Sequence, residues 1–89
     1  MSDKTDQIAK LLLQTGSAHH TAFLEVDGYD PDWPLWYAEF LQEHLPTLLG
    51  KELTTDELAQ LMVELDHRHR MEEPNTSWQI FYAQKLLDE

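Results

Sequence analysis

With 89 residues, the chain has room for one domain, and a chain this short buries only about 60–65% of its unfolded surface, so its stability margin is thin. Six Lys and Arg against seventeen Asp and Glu leave a net charge of −11, which disfavours phosphate backbones and anionic membranes as direct ligands. The absence of Cys excludes disulfides, thiolate catalysis and zinc–thiolate sites. A small, acidic, disulfide-free domain reads as cytoplasmic. The early apolar run Leu11-Leu12-Leu13 is too short for a signal-peptide core or a membrane span.

The apolar periodicity predicts an all-α domain over residues 1–89, built from four helices. The first runs from about Asp3–Thr5 to Val26, with Ile8, Leu11, Leu12, Thr15, His19, Ala22, Phe23 and Val26 on one stripe. Gly16 interrupts this stripe at a cost of about 1 kcal/mol relative to Ala and marks a kink or a close helix contact. Asp27-Gly28 is a stop signal.

Asp32 suits an N-cap for the second helix, with Pro34 tolerated in its first turn. This helix has two stripes, one of Trp33, Trp36, Tyr37, Phe40 and His44, the other of Leu35, Ala38, Leu41, Leu45 and Leu49. Pro46 has no N–H to donate and is expected to kink the helix or restart it after His44, before Gly50 ends the unit. In the third helix Thr54 and Glu57 form a capping box, Leu53 and Leu58 a hydrophobic staple, and Leu58, Leu61, Met62, Leu65 and His69 the stripe. It is expected to end at Arg70–Glu73, before Pro74. The fourth begins near Asn75 or Thr76, and Asp88 and Glu89 oppose the macrodipole at its frayed end.

The chain also contains an echo. Thr5-Asp6-Gln7-Ile8-Ala9 aligns with Thr55-Asp56-Glu57-Leu58-Ala59, and His19 falls on His69 at the same offset. Trp33, Tyr37, Ala38 and Leu41 then align with Trp78, Tyr82, Ala83 and Leu86, after a longer loop at Asp27–Pro31 in the first half. The spacing predicts two copies of one helical hairpin, residues 3–49 and 53–88, related by a pseudo-two-fold axis. Two apolar stripes on one helix are hard to bury in a domain this small, so a protein partner or a second copy of the chain is expected to cover one of them.

Candidate sites are few. His19 and His69 are equivalent positions on apolar stripes, close to the aromatic boxes, and read either as hydrogen-bonded core residues or as a functional pair with Tyr37 and Tyr82. Trp33 and Trp36 complete the candidate ligand site as a stacking platform for a planar ligand, although spacings of three and four also suit core packing. Glu64-x-x-His67 and Asp66-x-x-His69 have a spacing that can share a cation, but a carboxylate-bridged metal bundle requires such a motif on two helices. Asp27, Asp30 and Asp32 around Gly28 have the composition of a calcium loop without its twelve-residue pattern. No cofactor is expected, and no nucleophile elbow or phosphate-binding loop is present.

At Asp30–Ala38 the string DPDWPLWYA resembles one found in small bacterial proteins of uncharacterised function. The resemblance implies a bacterial, cytoplasmic protein and carries no activity or catalytic residue with it. The residues thus read as a non-enzymatic acidic module for protein–protein interaction. The alternative is a small-molecule or metal-binding protein, or an enzyme, with its site where the two repeats meet.

Overall fold

Residues 3–26 and 30–88 are described in a computed structural model, without the side chains of Asp3 and Asp88. Every regular element among them is helical: α1 (Asp3–Ala22), a 3₁₀ turn (Leu24–Val26), α2 (Trp33–Leu41), α3 (Leu45–Leu49), α4 (Thr55–Glu72) and α5 (Trp78–Asp88). The domain is all-α, with five α-helices where four were expected. Pro46 accounts for the difference. It lies in the first turn of α3, where no N–H is needed, and the chain turns at Gln42–His44 between α2 and α3. Gly50 closes α3 in the left-handed conformation, with φ +71°, where a side chain would be strained.

Two other boundaries differ from expectation. The first helix stops at Ala22 rather than Val26, and Ala22 and Val26 are exposed at the end of the expected stripe. His19 and Phe23 meet Trp36; beyond them Leu24 and Val26 are exposed, and the chain tightens into the 3₁₀ turn. The last helix begins at Trp78 because residues 73–76 form a separate turn, with the Thr76 N–H donating to the Glu73 carbonyl. Asp32 occupies the cap position of α2 without making a side-chain cap bond; instead the Asp30 carboxylate accepts the Asp32 N–H at 3.0 Å, an Asx turn. Asp27, Gly28, Tyr29 and Glu89 lie outside the described residues, as does the expected fraying at the Asp88 and Glu89 side chains.

The Thr54–Glu57 capping box is present in both directions, at 2.8 and 3.1 Å, and starts α4 where expected. Gln42 ties the end of α2 to this start: its amide donates to the Leu53 carbonyl and accepts from the Thr55 hydroxyl. The most extensive packing pairs α1 with α5 and α2 with α4, with further contacts of α1 on α2 and α3 and of α4 on α5. Ile8, Leu12, Leu41, Leu58, Met62 and Phe81 meet in the interior, each large enough to contribute about 1.5–3 kcal/mol by leaving water. Buried Thr15 satisfies its hydroxyl on the Leu11 carbonyl one turn back, at 2.7 Å. No described helix is long and apolar enough to cross a membrane.

Candidate functional site

The paired helices bring the two aromatic boxes together. Trp33 and Tyr37 lie one turn apart on α2 and meet edge to face, with centroids 5.5 Å apart and planes at 81°. Trp78 and Tyr82 repeat that contact on α5 at 5.2 Å and 79°. Tyr37 and Trp78 link the two boxes at 6.4 Å, giving a continuous row of four rings. Such closeness needs a small residue on α1. A Cβ on Gly16 would lie 3.3 Å from the Tyr37 hydroxyl and 3.4 Å from the Trp78 ring, so Gly16 marks a close contact rather than a kink.

The row opens into a solvent-connected cavity of about 460 Å³ lined by Trp33, Tyr37, Trp78 and Tyr82 together with Asp66, His69 and Arg70 of α4. Asp66 is its electrostatic centre, pairing with Arg70 one turn on and placing its carboxylate charge near the Tyr82 phenol. The Tyr82 phenol is held well above its ordinary value, first by burial and then by the Asp66 carboxylate. Burial also raises the Tyr37 phenol. Both phenols are therefore neutral donors at physiological pH. His69 donates from Nε2 to the Thr76 carbonyl and packs against Phe81, with centroids 5.3 Å apart.

The structure thus places four of the six candidate residues, Trp33, Tyr37, His69 and Tyr82, around one cavity. His19 and Trp36 lie elsewhere. The His19 Nε2 donates to Asp30 Oδ2 at 3.1 Å, and the ring packs among Phe23, Trp36 and Tyr37 at 4.8, 5.1 and 5.3 Å. Each histidine has its own hydrogen-bond partner and its own aromatic neighbour; His19 is buried and His69 is partly buried at the cavity wall. Trp36 stacks on Phe40, with centroids 5.7 Å apart and planes at 15°.

Asp66, Arg70 and Trp78 were not among the six candidate ligand residues, although Asp66 was weighed with His69 as a cation-sharing pair. Trp78 was legible as the match of Trp33, and Asp66 and Arg70 as an i, i+4 ion pair on the turn that carries His69. Of the cation-sharing motifs, Glu64 and His67 are exposed, while Asp66 and His69 are engaged as described. Among the described residues no three His, Asp or Glu side chains are grouped to hold a metal ion. The part of the calcium-like loop that is described has Asp30 accepting from His19 and from the Asp32 backbone. No family model, curated protein or solved structure matches the chain.

Proposed function

We propose that the chain is a non-enzymatic, acidic helical module that binds a protein partner, built as two copies of one helical hairpin. The observation that carries the function is how the charge is distributed. Glu39, Glu43, Glu52, Asp56, Glu57 and Glu64 are all exposed, while much of the scarce positive charge is engaged within the chain. Arg68 pairs with Glu72, Arg70 pairs with Asp66, and the Lys85 ammonium lies over the Phe81 ring. The outward face is left acidic, and a basic protein surface is its natural complement.

Three features support the duplication. Matched positions share burial: Ile8 with Leu58, Leu12 with Met62, and Ala38 with Ala83 are fully buried, while Leu35 and Ile80 are both exposed. The two Trp–Tyr contacts have nearly the same geometry. The α1–α5 and α2–α4 packings exchange places if the two halves are swapped. A cytoplasmic setting fits the lack of Cys. The partner reading is tested by the size at which the untagged chain elutes from extracts of its own cells. A larger complex, with a basic protein recovered by reciprocal capture, or a stable homodimer, supports it. Elution as free 10.5 kDa chain overturns it.

The cavity favours a second reading, a small-molecule site formed by Trp33, Tyr37, His69 and Tyr82 where the proposed copies meet. Native mass spectrometry of the gently purified chain tests it: a bound small molecule that Tyr82→Phe releases supports the site, and a bare chain mass counts against it.

A further inference from the structure

The two aromatic helices finish their outer faces differently. On α5, Phe81 is 1% exposed, and the ammonium of Lys85, one turn on, lies 5.3 Å from its centroid. On α2, Trp36 stands at the matching position and remains half-buried, with Phe40 stacked on it where α5 has Lys85. Phe23 extends the patch, 6.4 Å from Trp36, and Phe40 at its edge is 37% exposed. Next to Phe23, Leu24 and Val26 are exposed on the 3₁₀ turn.

The stretch of chain that carries this patch is acidic. No Lys or Arg occurs from Leu11 to Gly50, a span that contains Glu25, Asp27, Asp30, Asp32, Glu39 and Glu43. Glu39 and Glu43, which flank Phe40 in the chain, are exposed. Arg70 meets α2 at the cavity, beside Trp33 and Tyr37, where it is paired with Asp66.

We propose that the Phe23–Trp36–Phe40 face is the docking surface of the module, and that its occupant is a basic amphipathic segment of a partner protein, with apolar side chains against the rings and Lys or Arg against Glu39 and Glu43. The inference rests on the reading of the chain as a partner-binding module and names the surface and the partner's chemistry. Half-open rings on a helix that also exposes Glu39, and with Glu43 just past its end, attract a cation through the ring faces and through the charges together. They also supply the aromatic anchors on which interface energy concentrates. Charge decides against a second copy as the occupant, because it would bring one acidic face against another.

The test is titration of the ¹⁵N-labelled chain with an amphipathic lysine–leucine helical peptide, a glutamate–leucine peptide of the same pattern, and oligolysine. The lysine–leucine peptide is expected to bind saturably and to shift the Trp36 indole N–H more than those of Trp33 and Trp78. Its affinity is expected to fall about tenfold in Phe40→Ser and by a similar factor in the double variant Glu39→Lys with Glu43→Lys. Oligolysine is expected to bind more weakly, and the glutamate–leucine peptide not at all. The double variant changes exposed positions only, so it serves as the control if Phe40→Ser disturbs the fold. Equal binding by wild type and the double variant, shifts centred on the cavity, or equal binding of the glutamate–leucine peptide each overturn the inference. So does a dimer by light scattering that Phe40→Ser dissolves, since the occupant is then a second copy. Because the wider reading is judged by the native complex, a basic partner that binds another face ends this inference and leaves that reading standing.

Discussion

Helices α2 and α5 share the spacing W-x-[LI]-[WF]-Y-A-x-x-L and have different surroundings. On α5 the ring after the Trp is Phe81, buried against α4 with Lys85 above it. On α2 it is Trp36, too large to be covered in the same way and shared among His19, Phe23 and Phe40. The tyrosines differ as well. The Tyr82 phenol is raised by the nearby Asp66 carboxylate as well as by burial, whereas the position that matches Asp66 in the first half is Gly16, where the Tyr37 hydroxyl occupies the space a side chain would need. One half has spent its aromatic face on internal packing, and the other has kept part of that face open. Two or three residues thus decide whether similar helices bury their aromatic face or leave part of it open.

Four measurements test this contrast. The largest effect is expected at the second aromatic position of each helix. Phe81→Ala should cost about 3–4 kcal/mol in urea unfolding, as for a fully buried ring, and Trp36→Ala about half of that, because water already reaches part of the indole. Equal losses would mean that the two faces are equally internal.

Next is the contact that brings the boxes together. Gly16→Leu should cost about 2–3 kcal/mol by overpacking against Tyr37 and Trp78, with a change in near-ultraviolet circular dichroism from the displaced rings. A stability gain from the improved helix propensity alone would show that the contact is not tight.

The third prediction concerns pH. The folded state holds the Tyr82 proton more tightly than the unfolded chain, whose phenol titrates at the ordinary value of 10.0. Tyr82 therefore contributes stability that is present below that pH and declines as pH rises above it. Unfolding free energies measured from about pH 8 to pH 11 should fall more steeply in wild type than in Tyr82→Phe, which lacks this proton. Identical slopes would remove the asymmetry between the tyrosines.

The smallest effect is expected at the ring cover. Lys85→Ala should cost about 0.5–1 kcal/mol through the lost cation–ring contact and the lost cover of its stem. Phe40→Ala should cost a similar amount through the lost stack on Trp36.

Much of the fold was legible along the chain. Ile8, Leu12, Leu58, Met62 and Leu65 were assigned to the core by period alone and are buried. The capping box at Thr54, the restart at Pro46 and the stop at Gly50 are local chemistry, set by a few neighbouring side chains, and are found where they were expected. The failures lie at ends where a neighbour decides. The stripe of α1 continues in the sequence past Ala22, yet Ala22 and Val26 are exposed and the regular helix stops at Ala22. The start of α5 depends on how the 73–76 turn is tied down, partly by His69 on the Thr76 carbonyl.

The candidate site was half legible for the same reason. Helical periodicity places side chains on one helix, and Trp33, Tyr37 and Tyr82 follow from it. It does not say which helices cross. His19 and His69 are equivalent in the sequence, and only the packing sends one to Asp30 beside Trp36 and the other to the cavity wall. The all-α class, the core stripes, the caps and the excess of negative charge were legible along the chain, because each depends on residue types at short spacing. How the helices cross was settled by the packing, with α1 against α5 and α2 against α4 as its most extensive contacts. That packing sets the link of the two aromatic boxes, the Gly16 contact, the approach of Asp66 to Tyr82 and the contact of His19 with Trp36, because each needs two residues far apart in the chain to occupy neighbouring space.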